Sequence, residues 1–331
     1  MGAFREIISG VHVIELPLPF SLGVINVYLI RLSDGYLLLD CGMDTPACGA
    51  ALENALQSLR VEERQIRQIA ITHAHPDHCG FAHILVERTG AQLLMHRDDA
   101  ALLARAAATD GFRAEQQQIL RSGGVPEDLI ARIDETFAGL RKTFRRLNPS
   151  IALIGGEVLD SAIGPLEILW TRGHSPGHIC LYNPTHRMLF AGDQMIEDTT
   201  PNIGWQPGHD ALGEFLISLQ HLARLDIDLV LPSHGAPFRN HREWIGETTR
   251  HHEERCAEIE AALAAGAQTA HQAVSILWAR GLAPFHHRLA VFEVLAHLEY
   301  LRGKGRVTAE PGAGGGLHWI TCASLPRPHT M

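Results

Sequence analysis

Short apolar stretches bounded by polar turns run through the first two thirds of the chain, and each of them predicts a β-strand. Residues 7–16 alternate between apolar and polar side chains, as expected for a strand with one buried face. The predicted strands lie, in chain order, at 7–16, 24–30, 36–40, 68–72, 91–96, 151–154, 166–170, 178–182, 188–193 and 229–235. Turn residues separate the first of them, so we expect antiparallel hairpins at the start of the chain.

Helical periodicity is found in fewer places than the strand pattern. Residues 46–60 carry apolar side chains at helical spacing, and a second helix begins at 80–85. The segment 98–147 is helical and charged and contains no strand pattern. An insertion of this length between strands predicts a lid or a substrate-binding segment, which we favour, and a helical hairpin without a role in the site is the alternative.

The composition is that of a globular protein, with 46% hydrophobic residues among 331. A net charge of -9 disfavours nonspecific attraction to nucleic acid or to an anionic membrane surface. We find neither a signal-peptide pattern nor an apolar run that could span a bilayer, and therefore expect a cytoplasmic protein. Six scattered cysteines without a C-x-x-C pair predict reduced, mostly buried thiols: Cys41, Cys48, Cys79, Cys180, Cys256 and Cys322.

A dense group of polar side chains follows the predicted strand 68–72. The sequence His73-Ala74-His75-Pro76-Asp77-His78 places three histidines and one aspartate within six positions, and these residue types suit zinc and similar divalent ions. His73 and His75 project the same way if the chain stays extended, whereas Asp77 and His78 would lie on the turn into the next helix. Two offset pairs of donors favour two neighbouring metal ions over one, and a chance cluster of surface histidines is the weaker alternative.

Further histidines and carboxylates also follow predicted strands directly. His174 lies in a glycine-rich turn after 166–170, Asp193 ends 188–193, and His234 ends 229–235. This repetition predicts that these side chains converge with those of the histidine cluster at one edge of a sheet. Asp40 also closes a strand, although a carboxylate before glycine is often only a turn former.

Together, His73-x-His75-x-Asp77-His78, Gly173-His174, Gly192-Asp193 and Ser233-His234-Gly235 resemble the ligand pattern of the metallo-β-lactamase superfamily of hydrolases, over about residues 7–240. The resemblance implies an α+β fold, a four-layer αβ/βα sandwich with a binuclear metal site at its edge. It assigns one metal to His73, His75 and His174, the other to Asp77, His78 and His234, and the bridging position to Asp193.

The resemblance also implies roles for two residues beside the ligands. Asp40 matches the aspartate of the family's Asp-Thr-Gly and would support the ligands from behind, with Cys41 as a mild departure. His178 would support the site rather than bind a metal. Residues 171–178 are most similar to glyoxalase II-like thioesterases, and histidine rather than glutamate at position 75 argues against the diiron oxygen-reducing branch.

The last part of the chain has a different pattern, which predicts a second domain over 241–331 after a catalytic domain over 1–240. Helices are predicted at 241–265, 269–280 and 285–302, followed by a hairpin of 306–310 with 317–321. This order resembles a winged helix, and a branch of the superfamily with such a domain acts on RNA. The third helix carries Glu293, His297 and Glu299 but only two arginines, Arg288 and Arg302, so we favour a packing or homodimerisation module.

The function implied is metal-dependent hydrolysis of a thioester or ester of a small organic acid, lactones included. Two divalent cations, zinc in the first place and iron or manganese as alternatives, would share a hydroxide nucleophile, and Asp77 would orient it and transfer its proton. The alternatives are a nuclease acting on RNA or DNA and a noncatalytic sensor. The residues predicted to contact substrate, besides the insertion, are Phe20, Leu22, Asn202 and Trp205.

Overall fold

The computed structural model describes residues 4–19, 23–108, 110–141, 143–312 and 316–322. The chain forms two compact units. Unit 1 comprises 1–109, 140–201 and 218–245, and unit 2 comprises 110–139, 202–217 and 246–331. A division into domains at residue 240 stays a prediction.

A seven-stranded sheet is built from the first half of unit 1, with its strands side by side in chain order. Its strands are β1 (Phe4–Ile8), β2 (Val11–Pro17), β3 (Val24–Arg31), β4 (Tyr36–Leu39), β5 (Ile66–Ile71), β6 (Gln92–His96) and β7 (Ile151–Leu153). Pairing is antiparallel from β1 to β4 and parallel from β4 to β7. The carboxyl ends of β4, β5 and β6 therefore lie at one edge.

The second half of unit 1 forms a five-stranded sheet with the order β12-β11-β10-β9-β8. Its strands are β8 (Val158–Leu159), β9 (Leu166–Trp170), β10 (Ile179–Asn183), β11 (Met188–Gly192) and β12 (Leu229–Pro232). Strands β11 and β12 are parallel, and the other pairs are antiparallel. The turns that were predicted to carry His174, Asp193 and His234 all belong to this sheet.

The single strand predicted over 7–16 is wrong, because the structure forms the hairpin β1–β2 there. The turn lies at Ser9 and Gly10, and Gly10 adopts a φ of 87°, which is readily available only to glycine. The apolar alternation continues through the turn, so periodicity alone did not reveal it. The other predicted strands are confirmed to within a few residues.

Two apolar cores use opposite faces of the seven-stranded sheet. Leu37 and Leu39 of β4 are buried between the sheets with Phe190 of β11. The intervening Leu38 packs in the other core with Leu52. Three helices also contribute side chains to that core: α1 (Pro46–Ser58), α3 (Ala82–Thr89) and α4 (Arg97–Ala107). The one-turn helix α2 (Pro76–Cys79) lies before α3, one turn earlier than the helix start predicted at 80–85.

All but one of the remaining helices confirm the predicted helical character of the insertion and of the last part of the chain. The remaining helices are α5 (Asp110–Ser122), α6 (Glu127–Arg141), α7 (Ala211–Leu222), α8 (His241–Ala264), α9 (Ala270–Leu277) and α10 (Pro284–Gly303). The predicted final hairpin is formed by β13 (Val307–Pro311) and β14 (Leu317–Thr321). Helix α7 was not predicted.

The insertion is divided between the two units. Helix α4 belongs to unit 1, whereas α5 and most of α6 belong to unit 2, together with α9 and α10. Within unit 2 the Phe137 ring of α6 stacks on the Phe285 ring of α10, with centroids 5.0 Å apart. His271 N of α9 donates a hydrogen bond to Gly123 O, 2.9 Å away, just after α5. Within unit 2, α5 and α6 therefore pack against the C-terminal helices, and movement of the insertion as a lid stays a prediction.

The six cysteines are unpaired, and five of them are buried, which confirms reduced, mostly buried thiols. Among the described helices none is long and apolar enough to cross a membrane.

Candidate metal centre

The histidine cluster lies at the carboxyl end of β5, where the chain passes from the strand into α2. His73 and His75 lie on the extended stretch between them, and Pro76 occupies the first position of α2, where its missing N–H costs nothing. Asp77 and His78 therefore lie in a helical turn of their own rather than in a tight turn that leads into the next helix, as was predicted. The change of direction at Pro76 separates the two pairs of side chains.

One group of donors consists of His73, His75, His174 and Asp193. Nδ1 of His75 lies 2.8 Å from Nε2 of His73 and 3.1 Å from Nε2 of His174. Oδ2 of Asp193 lies 3.6 Å from Nε2 of His174 and 3.9 Å from Nε2 of His73. Four potential ligand atoms thus surround one point.

A second group consists of Asp77, His78 and His234. Oδ2 of Asp77 lies 3.4 Å from Nε2 of His234 and 3.7 Å from Nε2 of His78. Oδ1 of Asp193 completes it, 3.4 Å from Nε2 of His78 and 3.6 Å from Nε2 of His234. The two oxygens of Asp193 therefore face different groups, which is the arrangement expected of a carboxylate that bridges two cations.

These donors fit metal ions in both spacing and chemistry. Tetrahedral ligands about 2.0–2.1 Å from zinc lie about 3.3 Å from one another, close to the separations observed. Nε2 of His78, Nε2 of His234 and Oδ1 of Asp193 are buried and have no hydrogen-bond partner among the described residues. Buried polar atoms without partners are rare in folded proteins, and a shared cation would satisfy all three. The structure brings all seven predicted ligands together, and their role as ligands stays a prediction.

The electrostatic environment keeps most of these donors ready to bind a cation at neutral pH. Burial, with the neighbouring His174 as the next cause, lowers the pKa of His75 to about 3, so its ring is neutral. Burial opposes ionisation of Asp193, but the surrounding imidazoles outweigh it and hold the pKa well below the ordinary range.

His78 and His234 behave differently. Burial opposes their protonation, yet Asp193 and Asp77 outweigh it and raise the pKa of both rings. A cation that binds the second group must therefore displace protons from these rings.

Asp40 supports the second group from behind. Its carboxylate accepts hydrogen bonds from the backbone N–H and the hydroxyl of Thr72, each at 2.8 Å, and lies 2.8 Å from Nδ1 of His78. Ser233 donates a further bond at 3.3 Å. Because Nδ1 of His78 points at Asp40, Nε2 faces the cluster, and this partner fixes both the ring and its tautomer.

His234 is held in the same way by the loop after β12. Nδ1 of His234 lies 3.1 Å from the carbonyl of Val24, so its Nε2 also faces the cluster. The side-chain amide of Asn26 donates to the carbonyls of Pro232 and Gly235 on either side of this histidine. The loop is thereby tied to β3 of the other sheet.

His178 lies behind the first group rather than in it. Its Nδ1 is 2.8 Å from the hydroxyl of Thr171, and its Nε2 accepts a hydrogen bond from the backbone N–H of Asp193 at 3.1 Å. The lone pair of Nε2 is therefore engaged by the loop that carries Asp193. This contact is the one expected of a supporting residue.

Asp99, at the start of α4, was missed by the sequence analysis. It is fully buried, and its carboxylate accepts hydrogen bonds from Ala74 N at 2.7 Å, Ser175 Oγ at 2.7 Å and Gly177 N at 2.6 Å. A Cβ atom at Gly177 would lie 2.7 Å from Asp99 N, so only glycine allows this approach. Asp99 thus joins the loop of His73 and His75 to the loop of His174.

The ionisation of Asp99 is costly at this position. Burial raises the pKa of Asp99 to about 6, because the hydrogen bonds from Ser175, Gly177 and Ala74 only partly compensate for lost water. The only local signal for this residue was an acidic side chain in the first turn of a helix that follows a strand.

Of the residues predicted to contact substrate, the two that the structure describes are not part of the cluster. Phe20 and Leu22 lie outside the described residues. Asn202 and Trp205 belong to unit 2, where the Asn202 amide donates to Glu293 at 2.9 Å and the Trp205 N–H donates to the Phe292 carbonyl at 3.1 Å. Their role in substrate binding stays a prediction.

Comparison with known proteins supports the resemblance over most of the chain. The sequence profile of the Metallo-beta-lactamase superfamily matches residues 21–234, and the profile of the Metallo-beta-lactamase-like, C-terminal domain matches residues 256–321. The crystal structure of the metallo-beta-lactamase family protein TTHA1429 from Thermus thermophilus is similar, with 30% identity and a TM-score of 0.84. The match covers 96% of this chain and all of that one.

Two curated proteins are more distant relatives. The probable metallo-hydrolase YqjP of Bacillus subtilis (strain 168) is 24% identical, and the match covers 91% of this chain and 95% of that protein. The human acyl-coenzyme A thioesterase MBLAC2 is 23% identical, over 64% of this chain and 74% of that protein.

The α+β fold predicted from the resemblance is confirmed, since similar solved structures share it along nearly the whole chain. The profile match covers the loops that carry all seven clustered donors. The chain belongs to the metallo-β-lactamase superfamily.

Proposed function

We propose that this protein is a binuclear metallo-hydrolase that cleaves thioesters of small organic acids. The carboxylate of Asp193 carries the binuclear part of the proposal, because its two oxygens face two separate groups of donors. Two divalent cations held there would supply hydroxide as the nucleophile at neutral pH and would polarise the scissile carbonyl. Imidazole and carboxylate ligands favour zinc, with iron and manganese as alternatives.

Asp77 is the residue proposed to act on the reacting groups. It is partly exposed, whereas His78 is fully buried and His234 nearly so, and its Oδ2 lies within 4 Å of both rings. From this position the carboxylate can orient the nucleophile by accepting its hydrogen bond.

The leaving group is the reason for proposing a thioester. Ligand carboxylates must be ionised to hold cations, so the cluster offers no strong proton donor. A thiolate, whose conjugate acid has a pKa of about 8.5, leaves without one. An alkoxide, whose conjugate acid is about as weak as water with a pKa of about 16, depends far more on protonation. The similarity to a protein named as an acyl-coenzyme A thioesterase supports the same choice.

For the remaining part of the chain we propose a winged-helix-like packing module formed by α8–α10 and the hairpin β13–β14. A nuclease is not favoured by the described residues of α10. Arg302 there is paired with Glu299, and Arg288 lies between two aromatic rings.

We further propose a cytoplasmic enzyme with a small acyl substrate, and self-association through this module as a homodimer.

The test is a panel of acyl-thioesters of increasing chain length, with the matching oxyesters and lactones, and metal content measured on the same sample. Thiol release is followed with a chromogenic reagent, after subtraction of enzyme alone because Cys322 is partly exposed. We expect thioester turnover, about two metal ions per chain, and a loss of at least about a hundredfold in kcat for Asp77→Ala.

Asp44→Ala is the matched control, because Asp44 is a nearby carboxylate outside both groups of donors. It should retain wild-type turnover. Two bound metals without thioester cleavage would contradict the proposed substrate class, and less than one bound metal would contradict the binuclear centre.

A further inference from the structure

Arg288 on α10 is a cation without an anionic partner among the described residues. Within the described part of the chain no carboxylate pairs with it, and its only hydrogen-bond partner is the side-chain carbonyl of Gln116 on α5. Its other contacts are aromatic. The guanidinium carbon lies 4.6 Å from the ring centroid of Phe137 and 4.2 Å from that of Phe292.

This environment is unusual for an arginine that is only partly exposed to water. Charges that lose water are normally paired, because desolvation is otherwise not compensated. The partial loss of water lowers the pKa of Arg288 to about 10, with no neighbouring charge as a further cause. Gln116 is neutral, so the hydrogen bond it accepts leaves the whole positive charge in place.

The hydrogen bond to Gln116 uses one N–H group of the guanidinium. Aromatic rings of Phe137 and Phe292 lie against the group, whereas the N–H bonds of a guanidinium point outwards in its own plane. Gln116 accepts from only one of the five N–H groups, and parallel N–H groups match the two oxygens of a carboxylate or phosphate. Arg288, Gln116 and Phe137 are only partly buried, so an anion from solution has access.

We propose that Arg288, Gln116, Phe137 and Phe292 form a binding site in unit 2 for an oxyanion, either a carboxylate or a phosphate group. The four side chains come from α5, α6 and α10, so both the insertion and the last helices contribute. The site requires no metal and no turnover, and the proposal therefore stands independently of thioester hydrolysis.

The test is calorimetric titration of the metal-loaded enzyme with inorganic phosphate and, separately, with acetate. Because the metal centre can also bind these anions, the wild type is compared with Arg288→Met, which keeps the length of the side chain and removes the charge. Arg302→Met is the matched control, since Arg302 lies on the same helix and is paired with Glu299. We expect Arg288→Met to lose one binding event that Arg302→Met retains.

The stronger ligand of the two identifies the chemistry of the natural anion. Arg288→Lys keeps the positive charge but loses the planar set of N–H donors that can bind both oxygens of an anion. It should bind the same anion about tenfold more weakly. Identical isotherms for the wild type and Arg288→Met with both anions would overturn the proposal.

Thermal unfolding separates a binding role from a packing role. If Arg288 serves a ligand, Arg288→Met should unfold at the wild-type temperature or above it, because an unpaired charge gives way to an apolar side chain. The stronger anion should then raise the unfolding temperature of the wild type more than that of Arg288→Met. A lower unfolding temperature for Arg288→Met, together with equal anion effects, would show that Arg288 only packs between the rings.

Discussion

Asp99 offers a direct test of how the two histidine loops are held together. Replacing it by alanine leaves three buried donors without an acceptor: the N–H groups of Ala74 and Gly177 and the hydroxyl of Ser175. Each such donor costs about 1–3 kcal/mol, so the three together cost about 6 kcal/mol.

An opposing contribution comes from the ionisation of Asp99. With its pKa at about 6 instead of 3.8, the ionised carboxyl costs about 3 kcal/mol at neutral pH, which the alanine variant avoids. We therefore expect Asp99→Ala to lower the free energy of unfolding by about 3 kcal/mol at pH 7.

The pH dependence of this loss follows from the direction of the shift. The pKa of Asp99 in the folded protein, about 6, lies above the unfolded value, so its contribution to stability is present at low pH and is lost as pH rises through 6. Between pH 7 and pH 5 the wild type should gain about 1 kcal/mol over Asp99→Ala. Asp99→Asn, which keeps one acceptor oxygen, should be intermediate.

Urea unfolding followed by tryptophan fluorescence measures these differences, and metal content measured on the same proteins tests the link to the site. We expect the affinity of the first group of donors to fall about 10–100-fold, as for other residues that orient metal ligands. Asp98→Ala is the control, because Asp98 lies on the same helical turn and contacts His96 instead. Equal stability and equal metal binding for Asp98→Ala and Asp99→Ala would show that Asp99 does not hold the two histidine loops together.

Three further predictions concern the metal centre itself. Asp193→Ala should bind fewer metal ions than a variant that loses a ligand of only one group, because here both groups lose a ligand atom. Elemental analysis after dialysis would measure the bound metal. His75→Ala and His78→Ala should each retain about one metal ion per chain, and retention of two by either variant would show that the group does not hold its own ion. Zinc binding to the second group should be weaker at pH 6 than at pH 8. The pKa of His78 and of His234 is raised, so zinc must displace their protons. Calorimetry in buffers of different protonation enthalpy would detect the released protons.

The residues of the cluster were predictable because each follows a strand. His73 and His75 follow β5, Asp193 follows β11 and His234 follows β12, and these strands belong to parallel pairs whose carboxyl ends share an edge. A histidine or aspartate directly after a short apolar run is a local signal, so the sequence contains it. Their repeated position after strands also predicted that these side chains converge at one edge of a sheet. The meeting of two sheets at the centre was expected only from the family resemblance.

Asp99 was not predictable by the same reasoning, because its partners are distant in sequence. Ala74 is 25 positions away, and Ser175 and Gly177 are 76 and 78 positions away. Nothing near Asp99 distinguishes it from an ordinary acidic residue at a helix start. Its function depends on tertiary structure alone.

Helix α7 was missed although a local signal existed. Asp210 accepts a hydrogen bond from Gly213 N at 2.9 Å, which is a typical helix start, and apolar residues follow at helical spacing. The missed turn at Gly10 is of another kind, since apolar alternation continues on both sides of it. Turn geometry and periodicity gave conflicting signals there.

Asp193 is proposed to bridge two metal ions that act together in hydrolysis. The most direct measurement is thioester turnover while zinc is titrated into metal-free protein, with bound zinc determined at each step. We expect turnover to rise until about two zinc ions are bound per chain and then to stay constant. Full turnover at one bound ion, or turnover without any metal, would contradict it.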